Sequence, residues 1–195
     1  MSILSKSAKM GLKENVEYVL KDKDGNVKPL FQPNKLFIWL LKKGIVSPTS
    51  LVPGLFGHYA DKMVVSNLIT TVGVAGIAAR INGSGSPAAY TYIALGTGTT
   101  AAADADTQLV NEVTTSGGAR ANSSVSVVTT DTAGDTAQLQ NTFNFTSGGT
   151  FAITESGVLN AASTGTLLAR QVFSAINVVS GDSLQVTWKI DVDTA

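Results

Sequence analysis

The chain has no cysteine. That excludes disulfides, thiolate metal sites, iron–sulfur clusters and cysteine nucleophiles. It has one histidine, His58, so a site built on two imidazoles is excluded too. Charge is scarce: 14% of residues are Asp, Glu, Lys or Arg, against about 25% in an average globular chain. Fourteen basic residues balance fourteen acidic ones, and the basic excess of a dedicated nucleic-acid binder is missing. Long apolar runs are missing as well. The most apolar stretch, residues 63–81, is interrupted by Ser66, Asn67, Thr70, Thr71, two glycines and Arg80. A membrane span needs about 20 predominantly apolar residues. The opening MSILSKSAKMGLKENVEY has early lysines but no apolar run of signal-peptide length. These absences predict a protein made in the cytoplasm, with no membrane span, no nucleic-acid partner and no cofactor.

What is present is enough for a core. The 195 residues are 44% hydrophobic, which suits one domain, or one domain and an arm. Composition divides the chain after Lys62. Residues 1–62 hold ten lysines against five acidic residues, whereas residues 63–195 hold Arg80, Arg120, Arg170 and Lys189 against nine. The second part is also rich in Ser, Thr and Gly, over a third of its residues. The expectation is a basic N-terminal attachment arm, 1–62, on a separable β body, 63–195. A basic arm can lie on an acidic surface, its own or that of a copy, or can simply be a solvated face.

In the arm, Val16–Leu20 and Val27–Phe31 flank KDKDGN, a hairpin whose Asp24-Gly25 supplies the positive φ of a tight turn. The same residues resemble the start of a calcium loop, but the glycine is misplaced and Pro33 stands where the last acid belongs. KLFIWLL follows as a short helix, with Asn34 to cap it, lysines for its last carbonyls and Gly44 to stop it. Being apolar nearly all round, it must be covered by its own body or by a neighbouring subunit. Aromatic and basic residues are frequent interface anchors. The candidate partner-binding residues are therefore Phe31, Lys35, Phe37, Trp39, Lys42, Lys43, Leu55 and Phe56.

In the body, a helix is expected over 71–81, weakened by Gly73 and Gly76. The rest reads as short strands: 90–95, 125–129, 139–145, 153–159, 167–173, 176–179 and 184–192. The last alternates strictly, Leu184, Val186, Trp188, Ile190 and Val192 against Gln185, Thr187, Lys189, Asp191 and Asp193, as a strand with one buried face does. Turn signals separate the strands at about 8–12 residue spacing, which predicts an antiparallel β-sandwich of jelly-roll or immunoglobulin-like character.

Four patterns in the sequence could carry chemistry. The loop GTGTTA after the first body strand lacks the third glycine of a dinucleotide fingerprint, since Ala101 stands there, and it has no phosphate-loop lysine. No G-x-S-x-G occurs. His58 lies between aromatic neighbours in a loop, a setting for packing or a hydrogen bond. Asp104, Asp106, Glu112, Glu155 and Asp182 could supply a carboxylate pair, but aromatic platforms for a sugar are few. Asp104 and Asp106 are better read as caps for the segment 107–113. No catalytic, metal or cofactor residue emerges, and the chain is read as a non-enzyme.

Three stretches, YIALGTGTTAAADADTQLVNEV, ITESGVLNAAS and LLARQVFSAINVVSGDSLQVTWKI, together resemble small accessory virion proteins of tailed bacteriophages. The resemblance covers roughly residues 64–195. It implies a structural protein of the virion, assembled in the host cytoplasm and free of catalytic residues. Capsid decoration (cement) proteins, which bridge and stabilise neighbouring capsid subunits, are the leading kind; tail-fibre or tail-tip components are the alternative. The implied partners are the major capsid protein or other virion proteins, and copies of the chain itself in a homo-oligomer.

Overall fold

The computed structural model describes residues 10–85, 87–146 and 150–194. In chain order the elements are β1 (Met10–Lys21), β2 (Val27–Lys28), β3 (Leu30–Pro33), α1 (Lys35–Lys42), β4 (Gly57–Ala60), β5 (Met63–Ser66), β6 (Leu68–Ile69) and α2 (Thr71–Asn82). There follow β7 (Tyr92–Gly96), β8 (Ala121–Asn122), β9 (Ser124–Val128), β10 (Thr136–Asn144), β11 (Phe151–Leu159), β12 (Leu167–Val178) and β13 (Ser183–Thr194). The chain is mainly β, and its strand pairs are antiparallel. Among the described residues no helix is long and apolar enough to cross a membrane.

The alternating run at the end of the chain builds the middle of the first sheet. Leu184, Val186, Trp188 and Ile190 of β13 are buried, while Val192 emerges at the rim. β13 lies between β10 and β1, and the sheet runs β2-β1-β13-β10-β9, with β5 also on β1. The second sheet runs β6-β12-β11-β7-β8. The two sheets share one core: Val16, Tyr18, Trp188, Leu139 and Phe143 come from the first, Ile93, Ile153, Val158, Leu168 and Phe173 from the second. A separate pair, β3 with β4, carries α1.

The compositional division after Lys62 does not coincide with a structural boundary. β1 pairs with β13 along its whole length, from Met10↔Thr194 to Lys21↔Ser183. Val16, Tyr18 and Leu20 of β1 are all buried. The Tyr18 hydroxyl meets Ser156 Oγ at 2.6 Å across the core. Burial pushes the phenol's pKa well up, and the Ser156 hydrogen bond only partly opposes this. The basic excess of residues 1–62 does not describe this strand, in which two lysines stand against two glutamates; the buried parity of Val16, Tyr18 and Leu20 makes it core.

The expected hairpin forms, with Gly25 at φ 84° and Leu20↔Lys28 paired. Asp22 Oδ1 accepts from the Asp24 and Asn26 amides, both at 2.9 Å. The aspartates of KDKDGN thus serve the turn. The return strand stops after Lys28, at Pro29, and residues 30–33 turn to pair with β4 instead. The strands read separately over 167–173 and 176–179 are one continuous β12. The turn at DTAGD is organised by Asp135. Its carboxylate accepts from the Thr132, Thr130 and Asp131 amides, and the Thr132 bond leads in holding its pKa well below the usual range.

The helix over 71–82 forms despite its glycines, and because of one of them. Thr70 caps it, accepting from the Gly73 amide at 3.0 Å and donating to Leu167 O at 2.7 Å. Gly83 closes it in the left-handed region, φ 71°. At Gly73 the helix lies directly on β12, and a Cβ there would overlap the Leu168 carbonyl oxygen. Gly73→Ala is therefore expected to destabilise the fold by about 1–3 kcal/mol, although alanine is the better helix former by about 1 kcal/mol. Urea unfolding at an unchanged slope measures this; a gain in stability would mean α2 is free to lift.

Candidate functional site

The eight residues expected to bind a partner separate into two groups around α1. Asn34 N-caps the helix, accepting from the Phe37 amide at 2.9 Å. Its side-chain amide also donates to Leu55 O at 2.8 Å, and its backbone N–H donates to Phe56 O. One residue thus fixes the helix start and anchors the 51–56 loop beside it. Phe37 and Leu41, one turn apart, face inward against Val172 of β12, with Val46, Leu51 and Phe56 packed around them. Phe31 on β3 is buried and meets Phe37 edge-on, ring centroids 6.0 Å apart. Phe56 is half-buried, 5.5 Å from the Phe37 ring. Phe31 and Phe37 are buried and, with the half-buried Phe56, form the seat of the helix.

Lys35, Trp39, Lys42, Lys43 and Leu55 are the exposed group. Trp39 is 53% exposed and Leu55 56%. Leu36 and Ile45, which the sequence reading left out, are exposed as well. Leu36 and Trp39 stand three residues apart on the helix, the spacing that places side chains on one face. Single exposed apolar residues are ordinary, whereas a cluster marks an interaction surface. Beside the helix a cavity of about 200 Å³ opens between Ile38, Lys42, Ala101 and Asp104. It brings the GTGTTA loop's far end next to α1.

Four of the five candidate carboxylates, Asp106, Glu112, Glu155 and Asp182, are engaged in ion pairs, while Asp104 is exposed beside the α1 cavity. Glu155, fully buried, accepts from the Gly98 and Asn111 amides at 3.0 and 2.7 Å and from the Val110 amide at 3.1 Å. Arg170, also fully buried, donates to it through Nε at 2.8 Å. The rest of that guanidinium reaches Asp106 Oδ2 at 2.7 Å and Thr100 O at 2.8 Å. Glu112 is gripped by both Nε and Nη2 of Arg120, at 2.9 and 2.6 Å. Asp182 pairs with Lys28 at 2.7 Å. Buried charges persist only when paired and hydrogen-bonded, and here the donors are supplied by the loop 96–111 itself. The glycines of that loop have a steric role: a Cβ at Gly96 or Gly98 would run into the Glu155 side chain. The segment 107–113 forms no helix for Asp104 or Asp106 to cap; Asp106 binds Arg170 and the Ala103 amide instead.

No protein-family model, curated protein or solved structure matches this chain.

His58 stands on β4 with its side chain exposed, one of four residues paired with β3. The Glu155–Arg170–Asp106 network ties together three stretches far apart in sequence: GTGTTAAADAD, ITESG and LLARQ. Their charged residues and glycines hold one loop to two strands. The α1 face offers apolar side chains set among lysines.

Proposed function

We propose that the chain is a structural protein of a tailed-bacteriophage virion, a capsid decoration protein that bridges and stabilises neighbouring capsid subunits through its α1 face. The observation that carries this reading is Trp39, half-exposed beside Lys35, Lys42 and Lys43 on a helix whose opposite side is locked onto β12. A large aromatic on a rigid mount, rimmed by charge of one sign, fits an apolar pocket with an acidic rim. The engagement of Glu155, Asp106, Glu112 and Asp182 in internal ion pairs favours a structural role over acid–base catalysis. We read the two facing sheets as a sandwich of the jelly-roll or immunoglobulin-like kind, a stiff body suited to carrying load.

The test has two parts. Immunogold electron microscopy of intact particles is expected to label the head surface; label confined to the tail would make the chain a tail component, and unlabelled particles would sink the virion reading. Trp39→Ala is expected to weaken co-sedimentation with particles stripped of the protein about 30-fold, the equivalent of about 2 kcal/mol. Its unfolding midpoint should stay near wild type, because the side chain is largely outside the core. Undiminished binding would remove α1 from the contact.

A further inference from the structure

Several sheet edges among the described residues are covered or short. On β5, the Gln32 side chain acts as a short strand: its Nε2 donates to Val64 O at 2.9 Å and its Oε1 accepts from the Val64 amide at 2.7 Å. On β12, the Ala175 amide donates to Pro48 O at 2.9 Å, and Ser174 Oγ donates to Phe31 O at 2.8 Å. β6 and β8 are two residues each, too short to template a partner. β9 is different. It is five residues long and ends the order β2-β1-β13-β10-β9, with no strand beyond it among the described residues.

Exposed edges are normally blunted by lysine, proline or a bulge. The segment 121–130, ANSSVSVVTT, has no charge and no proline. Its register with β10 places Val125 opposite Leu139 and Val127 opposite Ala137, on the face that is core further along the sheet. Yet Val125 is 59% exposed and Val127 71%. That face continues into an open apolar groove of about 550 Å³ between α2 and the sheet, lined by Ile77, Ile81, Ala137, Leu139, Ile190 and Val192.

We propose that β9 pairs antiparallel with β9 of a second copy of this chain, making one continuous sheet across a two-fold axis at Ser126. An extended strand is the occupant that satisfies a whole row of free edge N–H and C=O groups at once. β9 is its own complement. A two-fold at Ser126 sets Val125 of each copy opposite Val127 of the other, and opposed side chains share a face. All four valines then form one strip, contiguous with the two grooves. The uncharged segment brings no like charges together. An antiparallel pair of identical edges is isologous and uses up both edges, so assembly stops at two. The pairing rests on β9 alone and does not depend on what the α1 face binds.

The absence of cysteine from the sequence makes a clean test possible. The full chain is expected to sediment at twice its 20.1 kDa monomer mass. Val125→Lys with Val127→Lys should halve that mass, with near-UV circular dichroism unchanged. Ser126→Cys should cross-link to itself on mild oxidation, because opposed residues of an antiparallel pair lie about 4.5–5.5 Å apart at Cβ. Ser124→Cys, which faces Val128 of the other copy, should cross-link far more slowly. A monomeric wild-type chain overturns the proposal. So does an oligomer that keeps its mass in the double lysine variant, and so does one that is lost on Trp39→Ala, which would place the contact on α1.

Discussion

Deleting residues 1–21 is expected to abolish the fold. The composition of the front segment predicts the opposite, a body that stands alone once its basic arm is gone. β1 lies between β13 on one side and β2 with β5 on the other. Removing it takes Val16, Tyr18 and Leu20 from the core, each worth about 1.5–3 kcal/mol of burial for a side chain of its kind. It also uncovers one flank of Trp188, the Val16 partner on β13, and leaves the Ser156 hydroxyl without Tyr18. The backbone groups of β13 lose a twelve-residue ladder. Against a total stability of about 5–15 kcal/mol, that loss is decisive. Near-UV circular dichroism of the truncated chain should be flat and dye binding to exposed apolar surface high. A cooperative thermal transition with native near-UV signal would show that the second sheet holds its own core.

Arg170→Met should destabilise the protein by about 3–5 kcal/mol, the cost of leaving a buried charge without its partner. The methionine fills much the same space, so the effect isolates charge from packing. Glu155 would keep its three amide donors but lose the guanidinium that bridges it to Asp106 and Thr100. Adding Glu155→Gln should recover part of the loss, since both members of the pair are then uncharged. A coupling of about 0.5–3 kcal/mol is the expected size for residues in direct contact. Urea midpoints of the four proteins in the cycle measure it. The same variants should speed amide exchange in residues 97–111, the loop the network holds. Additivity within about 0.3–0.5 kcal/mol would mean that the two side chains act independently.

Local signals in the sequence reach as far as the elements and stop at their pairing. The helix at 35–42 was legible because Asn34, Lys42 and Gly44 each meet a need of a helix end. β13 was legible because one face is wet, so period 2 survives in its composition. β12 was not: it is buried on both faces at almost every position, which erases the alternation, and residues 174–175 then look like a break. The partnership of β1 with β13 spans nearly the whole chain and leaves no local trace. The site divides in the same way. Helical spacing already sets Phe37 and Leu41 together, but in a helix apolar almost all round it does not say which side the body covers. Phe31, Phe37 and Phe56 are therefore as plausible partner contacts in the sequence as Trp39 is. Leu36 and Ile45 carried no charge or ring to draw notice. In the sequence Glu155 is one candidate carboxylate among five and Arg170 one basic residue of the body; their meeting depends on how three distant segments converge.

The pairing of the first described strand with the last has a further consequence, in the order of events during synthesis. Residues 10–21 can pair along one edge with β2 and β5 soon after they are made, but their other edge has no neighbour until residues 183–194 follow. Closing a loop of that length is entropically costly and slow compared with forming hairpins such as β11 with β12. Through most of translation the strand carrying Val16, Tyr18 and Leu20 must wait with its apolar face uncovered, in a cell that can bind or cleave it. β13 is the strand that joins β1 to β10, so a chain interrupted before Ser183 leaves the two halves of the first sheet unconnected.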